Sequence, residues 1–353
     1  MNLLIGCYTR KISEEILGGG KGIYCFDFDQ DMGKLNLLDI VPALNPSYLA
    51  VSSGKQFLYT VEEIEESGTP HVSAYAINRN ERPHLRLINK QKLEGSYACH
   101  LNVSFDGKFL LVANYGSGNV NVYPIRQDGG LEVISDNVYH EGNGPNAMRQ
   151  EAPRAHMISK HGDQLFVPDL GIDQVKSYRM DVGEQSLIPV DNSDMATSAG
   201  AGPRHIVFHS SGNYAFVIGE LDSRVYVFKN QGETFSLIQT IDSLPKAYKE
   251  VPSGSAIRIH PKGKFLYVAN RGFNHLTIFD FDIKNEILTL SRYESTRGET
   301  PREFNIDPSG KWLLAANQDS HSISVFKIDQ KNGTLRFHEL SEEAASPSCV
   351  LWI

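Results

Sequence analysis

The stretch LNVSFDGKFLLVANYGSGNVNVYPI, residues 101–125, decides the fold. An apolar run leads into a tight turn at Asp106-Gly107-Lys108, and a second apolar run, 109–114, follows. After a polar turn, apolar and polar residues alternate over 119–126, which is typical of a half-buried strand. The segment therefore predicts three consecutive antiparallel strands joined by tight turns.

The same pattern returns along the whole chain of 353 residues. Its turn glycines recur at intervals of 47 to 55 residues, the length of one blade of a β-propeller. They are Gly54, Gly107, Gly162, Gly212, Gly263 and Gly310. Second, third and fourth strands of the repeat can each be counted seven times. Six first strands begin near Ser47, Cys99, Ala155, Arg204, Ser255 and Arg302.

The seventh first strand lies at the far end of the chain, in residues 347–353. Because the chain begins with a second strand, 3–8, this C-terminal strand is predicted to complete the N-terminal blade. Such closure pairs the strand edges that an open ring would expose. We predict an all-β fold, a seven-bladed β-propeller with four antiparallel strands per blade. A single domain is predicted over residues 1–353, with the fourth strand of the 101–125 repeat at 130–137.

The composition is that of an ordinary globular protein, with 41% hydrophobic and 22% charged residues. A net charge of −8 argues against nucleic acid or an anionic membrane as partner. No apolar run approaches the roughly 18 residues of a membrane span, and the start lacks the basic region of a signal peptide. Four cysteines without CxxC spacing predict buried free thiols in a reducing cytoplasm: Cys7, Cys25, Cys99 and Cys349.

Antiparallel blades bring the start of each first strand, the end of each second strand and the incoming loop to one face. The glycine turns are predicted on the other face. Long loops on a rigid scaffold usually carry function, and 138–153 and 192–203 are such loops. The first of them carries His140, Glu141, Asn146, Arg149 and Gln150. The strand ends on this face carry His100, Arg154, His156, Asp169, Arg204, His205, Glu220, Arg258, Arg271 and Arg302.

Part of this polarity has a structural interpretation. A polar residue that recurs at the end of second strands favours a hydrogen bond that defines the repeat. The recurring residues are Glu62, Asn114, Asp169, Glu220, Asn270 and Asn317. Arg154, Arg204 and Arg302 each follow a proline, which favours a bracing role between blades. Packing does not explain the density of cations, because like charges repel unless a carboxylate or an anionic ligand compensates them.

Several motifs that would indicate a cofactor or a metal are incomplete. Residues 18–22, GGGKG, lack the GxxxxGK[ST] spacing of a phosphate loop and precede a strand rather than a helix. The sequence contains no GxSxG, HExxH or paired CxxC. Carboxylates and amides at the mouth are Ca²⁺ ligands in six-bladed lactonases, but the neighbouring arginines and histidines disfavour a divalent cation. We predict no cofactor and no metal.

The chain resembles the seven-bladed propeller lactonases of the bacterial 6-phosphogluconolactonase type, which are related to fungal carboxymuconate lactonizing enzymes. The resemblance covers essentially the whole chain. Supporting matches are the runs 111–118 and 320–325. Its most specific pieces are Gly144-Pro145-Asn146 with Arg149-Gln150 and Pro153-Arg154-Ala155-His156, then 202–209 with Glu220-Leu221, and Thr300-Pro301-Arg302-Glu303-Phe304-Asn305.

The resemblance implies a site made of a His, an Arg, a Glu and a further Arg. These fall on His156, Arg204 and Glu220, with Arg258 and Arg271 both open as the last member. Lactone opening needs an activated water and a stabilised oxyanion, so His156 or Glu220 is the general base and Arg204 steadies the oxyanion. Arginine forks also suit phosphate oxygens. Predicted substrate-binding residues are His100, Arg149, Gln150, Arg154, Asp169, His205 and Arg302.

The resulting expectation is a cytoplasmic hydrolase that opens 6-phospho-D-glucono-1,5-lactone to 6-phosphogluconate in the pentose phosphate pathway. Its partner would be a small phosphorylated sugar lactone. A cycloisomerase acting on a dicarboxylate such as a muconate is an alternative that would use the same cations. A non-catalytic propeller that binds proteins is another, although WD-type signatures are absent.

Overall fold

In the computed structural model, residues 1–13 and 16–353 are described, and this part of the chain folds into seven antiparallel sheets. A short 3-10 helix, Glu66–Gly68, lies between two strands. The strands are β1 (Leu3–Cys7), β2 (Gly22–Asp29), β3 (Lys34–Pro42), β4 (Leu49–Val51), β5 (Phe57–Val61), β6 (His71–Ile77), β7 (Leu85–Lys92), β8 (Ala98–Val103), β9 (Phe109–Asn114), β10 (Asn119–Pro124), β11 (Asp136–Tyr139), β12 (Ser159–His161), β13 (Gln164–Asp169), β14 (Gln174–Asp181), β15 (Ser186–Pro189), β16 (Met195–Ala196), β17 (Pro203–Phe208), β18 (Tyr214–Gly219), β19 (Arg224–Asn230), β20 (Phe235–Asp242), β21 (Gly254–Ile259), β22 (Phe265–Asn270), β23 (His275–Asp282), β24 (Ile287–Ser295), β25 (Pro301–Ile306), β26 (Trp312–Asn317), β27 (Ser322–Ile328), β28 (Leu335–Ser341) and β29 (Pro347–Trp352).

Each blade contains four strands that neighbour one another in chain order, except that β29 joins β1 in the first blade, and the predicted seven-bladed propeller is confirmed. The ring closes as predicted, because β29 pairs with β1 through Leu4 opposite Leu351 and Gly6 opposite Cys349. Gly6 lies against the next blade, where an added Cβ would be 2.3 Å from the carbonyl oxygen of Pro46. Only glycine fits so close a backbone approach.

The hydrophobic core lies between the blades, in seven clusters that each join two neighbours. Second strands are covered on both faces, and all six residues of β9 are buried. Trp312 of the last blade meets Phe28 of the first edge to face, with ring centroids 5.8 Å apart. Truncation of such a core aromatic to alanine costs about 3–5 kcal/mol. The apolar runs of the repeat are therefore the packing faces that hold the ring together.

The tight turns follow the prediction with one local difference. Gly107 has φ +74°, a left-handed conformation that glycine adopts without a steric penalty. In the turn at Gly54, Lys55 takes the left-handed conformation instead, with φ 52°.

The predicted strand at 130–137 is wrong: the fourth strand of the third blade is β11, Asp136–Tyr139. Leu131 donates its N–H to Asn89 of the second blade, and its carbonyl accepts from the side chains of Asn89 and Gln91. Because these side chains take the backbone groups of Leu131, only an isolated bridge to Ile125 forms here. Pairing with β10 starts five residues later.

The first strand of the fourth blade also begins later than predicted, at Ser159 rather than near Ala155. Ala155 forms only an isolated bridge to Asp169. The ladder between them is interrupted because Pro168 has no N–H to donate. The predicted loop 192–203 also contains a two-residue strand, β16, which extends this sheet against β14.

Candidate active site

One backbone hydrogen bond repeats at the mouth of every blade and fixes which side chains point into it. The N–H just past each second strand donates to the loop that enters the same blade. Examples are Glu220 to the Gly202 carbonyl at 2.7 Å and Arg271 to that of Ser253 at 2.9 Å. The seven donors are Tyr8, Glu63, Tyr115, Leu170, Glu220, Arg271 and Gln318. Among them, Glu63, Tyr115, Glu220 and Arg271 line one cavity.

The six polar residues predicted to be equivalent at second-strand ends occupy two different positions in the structure. Asn114 pairs with Ala98 at the first position of the ladder and is fully buried, as a repeat-defining residue should be. In the fifth blade the equivalent position is Gly219, opposite Pro203, so Glu220 lies one residue further on. The structural interpretation is therefore wrong for Glu220.

A β-bulge at the start of the first strand turns a second set of side chains inward. Pro203 pairs with Gly219 and His205 with Ile218, which leaves Arg204 as the extra residue. A bulge re-aims the side chain it carries. The same irregularity occurs at Cys99 and Arg302.

Arg154 does not share this position, although it also follows a proline. The bridge between Ala155 and Asp169 makes His156 the fourth-blade equivalent of Arg204. The Arg154 guanidinium instead lies over the Tyr115 ring, 5.6 Å from its centroid, and bonds the Gly116 carbonyl and Glu151. The predicted Pro-Arg recurrence is therefore wrong for Arg154.

The cavity between these residues has a volume of about 380 Å³. Ile12, Ser13 and Ile16, which lie between β1 and β2, contribute to its wall. Five of the twelve predicted site residues line it: Arg149, His156, Glu220, Arg271 and Arg302. Eight further residues were not predicted: Ile12, Ser13, Ile16, Glu63, Tyr97, Cys99, Tyr115 and Ser253.

The Glu220 carboxylate lies at the centre of a cluster of cations. It accepts hydrogen bonds from Arg204 Nε at 3.0 Å and Arg149 Nη2 at 2.6 Å, and it forms an ion pair with Arg271, whose Nη2 lies 2.9 Å away. His156 Nε2 lies 4.0 Å from the same carboxylate. Burial alone would raise the pKa of Glu220, but the guanidiniums hold that pKa well below its ordinary value. Glu220 is therefore ionised at neutral pH and a weak base.

His156 is buried against this carboxylate and is neutral. Burial, and then the charge of Arg204, lower the pKa of His156 well below its ordinary value. Cys99 Sγ lies 3.7 Å from His156 Nδ1 and 3.4 Å from its carbonyl oxygen, and burial raises the pKa of this thiol. In the tautomer whose Nδ1–H faces this sulfur, Nε2 carries its lone pair on the Glu220 side, which is the form that a general base requires.

Arg204 lies beneath the cavity rather than in its wall. Its side chain is 3% exposed, and Nη1 donates to the Ser255 carbonyl at 2.6 Å. Burial, and then the charge of Arg271, lower the pKa of Arg204 to about 10, so the guanidinium stays protonated at neutral pH. Arg204 thus holds Glu220 from below.

A second polar layer lies deeper along the axis. Arg258 pairs with Glu303 at 2.9 Å and donates to the Tyr48 hydroxyl at 3.3 Å. His100 stacks near Tyr48 with ring centroids 4.1 Å apart, and His205 lies 6.1 Å from His100. Of the two arginines left open by the sequence, Arg271 contacts Glu220 and Arg258 belongs to this lower layer.

Gln150 and Asp169 hold the loop 138–153 and do not line the cavity. Gln150 Nε2 donates to the Leu170 carbonyl at 2.8 Å and to Asp173 at 2.7 Å. Asp169 bonds His140 Nδ1 at 2.6 Å and accepts the Arg154 N–H at 2.6 Å. Both residues therefore position the loop that carries Arg149.

Glu63 and Tyr115 were not predicted, because Glu62 and Asn114, one residue earlier in each case, were taken as the ends of the second strands. Glu62 instead pairs with Lys90 and His71 on the outside of its blade. Counting one residue further, past Glu62 and past Asn114, would have found both. In residues 1–13 and 16–353, no group of three or more His, Cys, Asp or Glu side chains is arranged to hold a metal.

Residues 2–352 match the model of a family described as Lactonase, 7-bladed beta-propeller. The chain belongs to this seven-bladed lactonase family. A 6-phosphogluconolactonase of Bacillus subtilis is 34% identical over 306 residues, 85% of this chain and 83% of that protein. One of Formosa agariphila with the same name is 33% identical over 310 residues, 86% of each chain.

Solved structures of the lactonase family agree over the full length. A periplasmic gluconolactonase of Pseudomonas aeruginosa superimposes with a TM-score of 0.91 at 30% identity, and covers 100% of this chain and 98% of that one. A Bacteroides fragilis protein has the same TM-score at 32% identity, covering 100% and 97%. Within the described residues, no helix is long and apolar enough to span a membrane.

Proposed function

We propose that the protein hydrolyses 6-phospho-D-glucono-1,5-lactone to 6-phosphogluconate. The proposal rests mainly on the composition of the cavity, where an ionised carboxylate and a neutral histidine lie beside an excess of guanidinium groups. The activity carried in the names of the Bacillus subtilis and Formosa agariphila relatives supports the same substrate.

The charge balance favours a dianion. In the described part of the chain, the carboxylates of the two layers are Glu63, Glu220 and Glu303. The guanidiniums that pair with them are Arg149, Arg204, Arg258, Arg271 and Arg302. The surplus is two positive charges, and buried charge of one sign needs a partner. A phosphate monoester carries about −2 near neutral pH.

The chemical step uses His156 as base and a guanidinium as electrophile. His156 Nε2 takes a proton from water as its oxygen attacks the lactone carbonyl carbon, and Arg271 stabilises the oxyanion. The bond from that carbon to the ring oxygen then breaks, and the imidazolium returns the proton to the leaving oxygen. Arg271 takes the role predicted for Arg204, because Arg271 lines the cavity and Arg204 does not.

Glu220 acts on charges rather than on protons in this proposal. Its carboxylate orients Arg149 by a hydrogen bond and Arg271 by an ion pair. At 4.0 Å it also stabilises the imidazolium that forms on His156. We therefore propose His156 rather than Glu220 as the base, since a carboxylate paired with three guanidiniums accepts a proton poorly.

The direct test is hydrolysis of freshly made phosphogluconolactone, corrected for its spontaneous opening. We expect turnover by the wild type and by His338→Asn, a control on the outer strand β28 where the side chain is exposed. We expect His156→Asn to lose about 10²–10⁴ in kcat. A wild-type rate no higher than the spontaneous rate would overturn the proposal.

A dicarboxylate is the second substrate class that a surplus of two positive charges favours. A cycloisomerase acting on a muconate would use the same cations to bind carboxylates. It would close the lactone ring by adding a carboxylate oxygen to one carbon of a C=C bond while a proton adds to the other carbon. Turnover of a muconate faster than of the phosphorylated lactone would select this alternative.

The cellular setting proposed for the enzyme is the cytoplasm, with a role in the pentose phosphate pathway. All four cysteines are buried and free, as predicted. This is usual in a reducing compartment. One structural relative is a periplasmic enzyme, so fractionation of the native host is the experiment that decides.

A further inference from the structure

We propose that Arg302 is the anchor for the phosphoryl group and determines the preference for a phosphorylated over an unphosphorylated lactone. This inference rests on the proposed function and adds the residue that recognises the substrate's charge. Its basis is the difference between the four guanidiniums nearest the cavity.

Three of those guanidiniums are engaged by Glu220. Arg204 also donates to the Ser255 carbonyl, Arg271 to the Gly254 carbonyl at 3.2 Å, and Arg149 to the Tyr115 hydroxyl at 3.2 Å. Each of them already donates to at least one protein acceptor before substrate arrives, although the buried Nε of Arg271 has no hydrogen-bond partner among the described residues. They are therefore suited to orient and polarise the reacting carbonyl rather than to bind a second anion.

Arg302 is the exception. Its side chain is 12% exposed, lines the cavity and lies 3.5 Å from one carboxylate, Glu63. Within residues 1–13 and 16–353 its guanidinium makes no hydrogen bond. A guanidinium has five N–H donors in a planar fork that matches two phosphate oxygens. Of these four guanidiniums, that of Arg302 is therefore the least engaged by protein acceptors, and its fork is available to an anion.

The surroundings hold this fork in one orientation. The bulge between Pro301 and Glu303 turns Arg302 towards the axis, and its guanidinium stacks over the Tyr8 ring at 5.0 Å. Tyr8 is fully buried, and its hydroxyl donates to Glu63 at 2.9 Å. An aromatic face beneath a guanidinium fixes its plane and leaves the N–H edge open.

The anchor lies close enough to the chemistry for one small substrate. The charge of Arg302 contributes to the lowered pKa of His156, and the charge of Glu220 contributes to the raised pKa of Arg302. A cavity of about 380 Å³ accepts a six-membered lactone with one phosphoryl arm. The carbonyl would face His156 and Arg271 while the phosphoryl group binds Arg302 across the same cavity.

The test compares glucono-1,5-lactone with its 6-phosphate in wild type, Arg302→Gln and Arg302→Lys. For Arg302→Gln we expect the ratio of kcat/KM between the two lactones to fall about 100-fold, mainly through KM. Arg302→Lys, which keeps the charge but loses the fork, should recover part of the ratio. If Arg302→Gln lowers kcat/KM for the two lactones by the same factor, the proposal is overturned.

A second variant should bind the anion more tightly rather than less, and it tests the proposal even if Arg302→Gln does not fold. Glu63→Gln keeps the acceptor for Tyr8 but removes the charge that competes for Arg302. We expect inorganic phosphate to inhibit this variant about three- to tenfold more tightly than wild type, with glucono-1,5-lactone as substrate. An unchanged or weaker inhibition would overturn the anchor.

These outcomes separate the two proposals. If the wild type hydrolyses only unphosphorylated lactones and is not inhibited by inorganic phosphate, both the proposed function and the proposed anchor are wrong. A wild type that hydrolyses the phosphorylated lactone with an unchanged ratio in Arg302→Gln would keep the function and place the phosphoryl group elsewhere.

Discussion

Arg204 Nη1 lies 3.1 Å from Nε2 of its chain neighbour His205. Consecutive strand residues normally point to opposite faces, and the bulge between Pro203 and His205 brings both to the axis. A guanidinium only donates, so His205 Nε2 accepts and its proton is on Nδ1. Glu303 Oε2 lies 3.9 Å from that nitrogen. His205 must therefore be neutral for this contact to exist.

Folding stability should depend on pH through His205 and its two buried neighbours. Burial lowers the pKa of His100, His156 and His205 well below the ordinary value. Below about pH 6.5 the unfolded chain binds protons that the folded protein excludes, so the free energy of unfolding falls as pH falls. The expected slope is up to about 1.4 kcal/mol per pH unit for each histidine.

Urea unfolding between about pH 7.5 and 5 measures this slope. The pKa of Glu220 is also lowered, so its contribution is lost only at lower pH, below the ordinary glutamate value of about 4.3. Burial also lowers the pKa of His161, His209 and His260, so His205→Asn, which removes one of six such groups, should flatten the dependence in part. A free energy of unfolding that stays constant or rises on acidification would contradict buried neutral histidines.

His156→Asn should remove the acid limb of the rate profile. A base must be neutral to act, so wild-type kcat/KM should fall as pH drops through the pKa of His156. Because that pKa is well below its ordinary value, the midpoint should lie below about pH 6.5. Initial rates across pH for both proteins provide the measurement. An unchanged acid limb in the variant would assign the base to another residue.

Glu220→Gln should affect stability as well as rate. The change leaves Arg149, Arg204 and Arg271 facing each other without their carboxylate. Removal of one partner from a buried ion cluster costs about 3–5 kcal/mol. We expect kcat to fall by about 10–100-fold and KM to rise, since Glu220 positions arginines rather than moving protons. A loss confined to kcat, with full stability, would instead indicate that Glu220 is the base.

Removal of the C-terminal strand should unfold or aggregate the protein. Deletion of residues 347–353 takes away β29 and exposes an edge of β1. It also uncovers the Val350 and Cys349 packing sites in two interblade clusters. Circular dichroism and thermal melting are the measurements, and a truncated protein with an unchanged Tm would refute the role of closure.

Activity should not depend on a divalent metal. The guanidiniums at the cavity polarise the carbonyl in the proposed step, so a chelator such as EDTA should leave the rate of hydrolysis unchanged. Complete loss of activity that one divalent ion restores would identify a metal site among the carboxylates and amides of the mouth.

The sequence by itself determined the seven blades, the four strands in each and the closure of the ring. Alternation, apolar runs and turn residues are local properties, and the spacing of Gly107 and its equivalents counts them correctly. The strand order of an antiparallel blade also decides which ends meet, so His156, Glu220 and Arg271 were placed at one mouth from sequence.

Only the tertiary structure decided which neighbouring residue faces the cavity. Glu63 rather than Glu62 lines it, and His156 rather than Arg154 shares the position of Arg204. Bulges, and Pro168 with its missing N–H, shift the register by one or two residues. A shift of one residue in a strand turns a side chain to the opposite face. That choice depends on hydrogen bonds between segments far apart in the chain, which local patterns do not record.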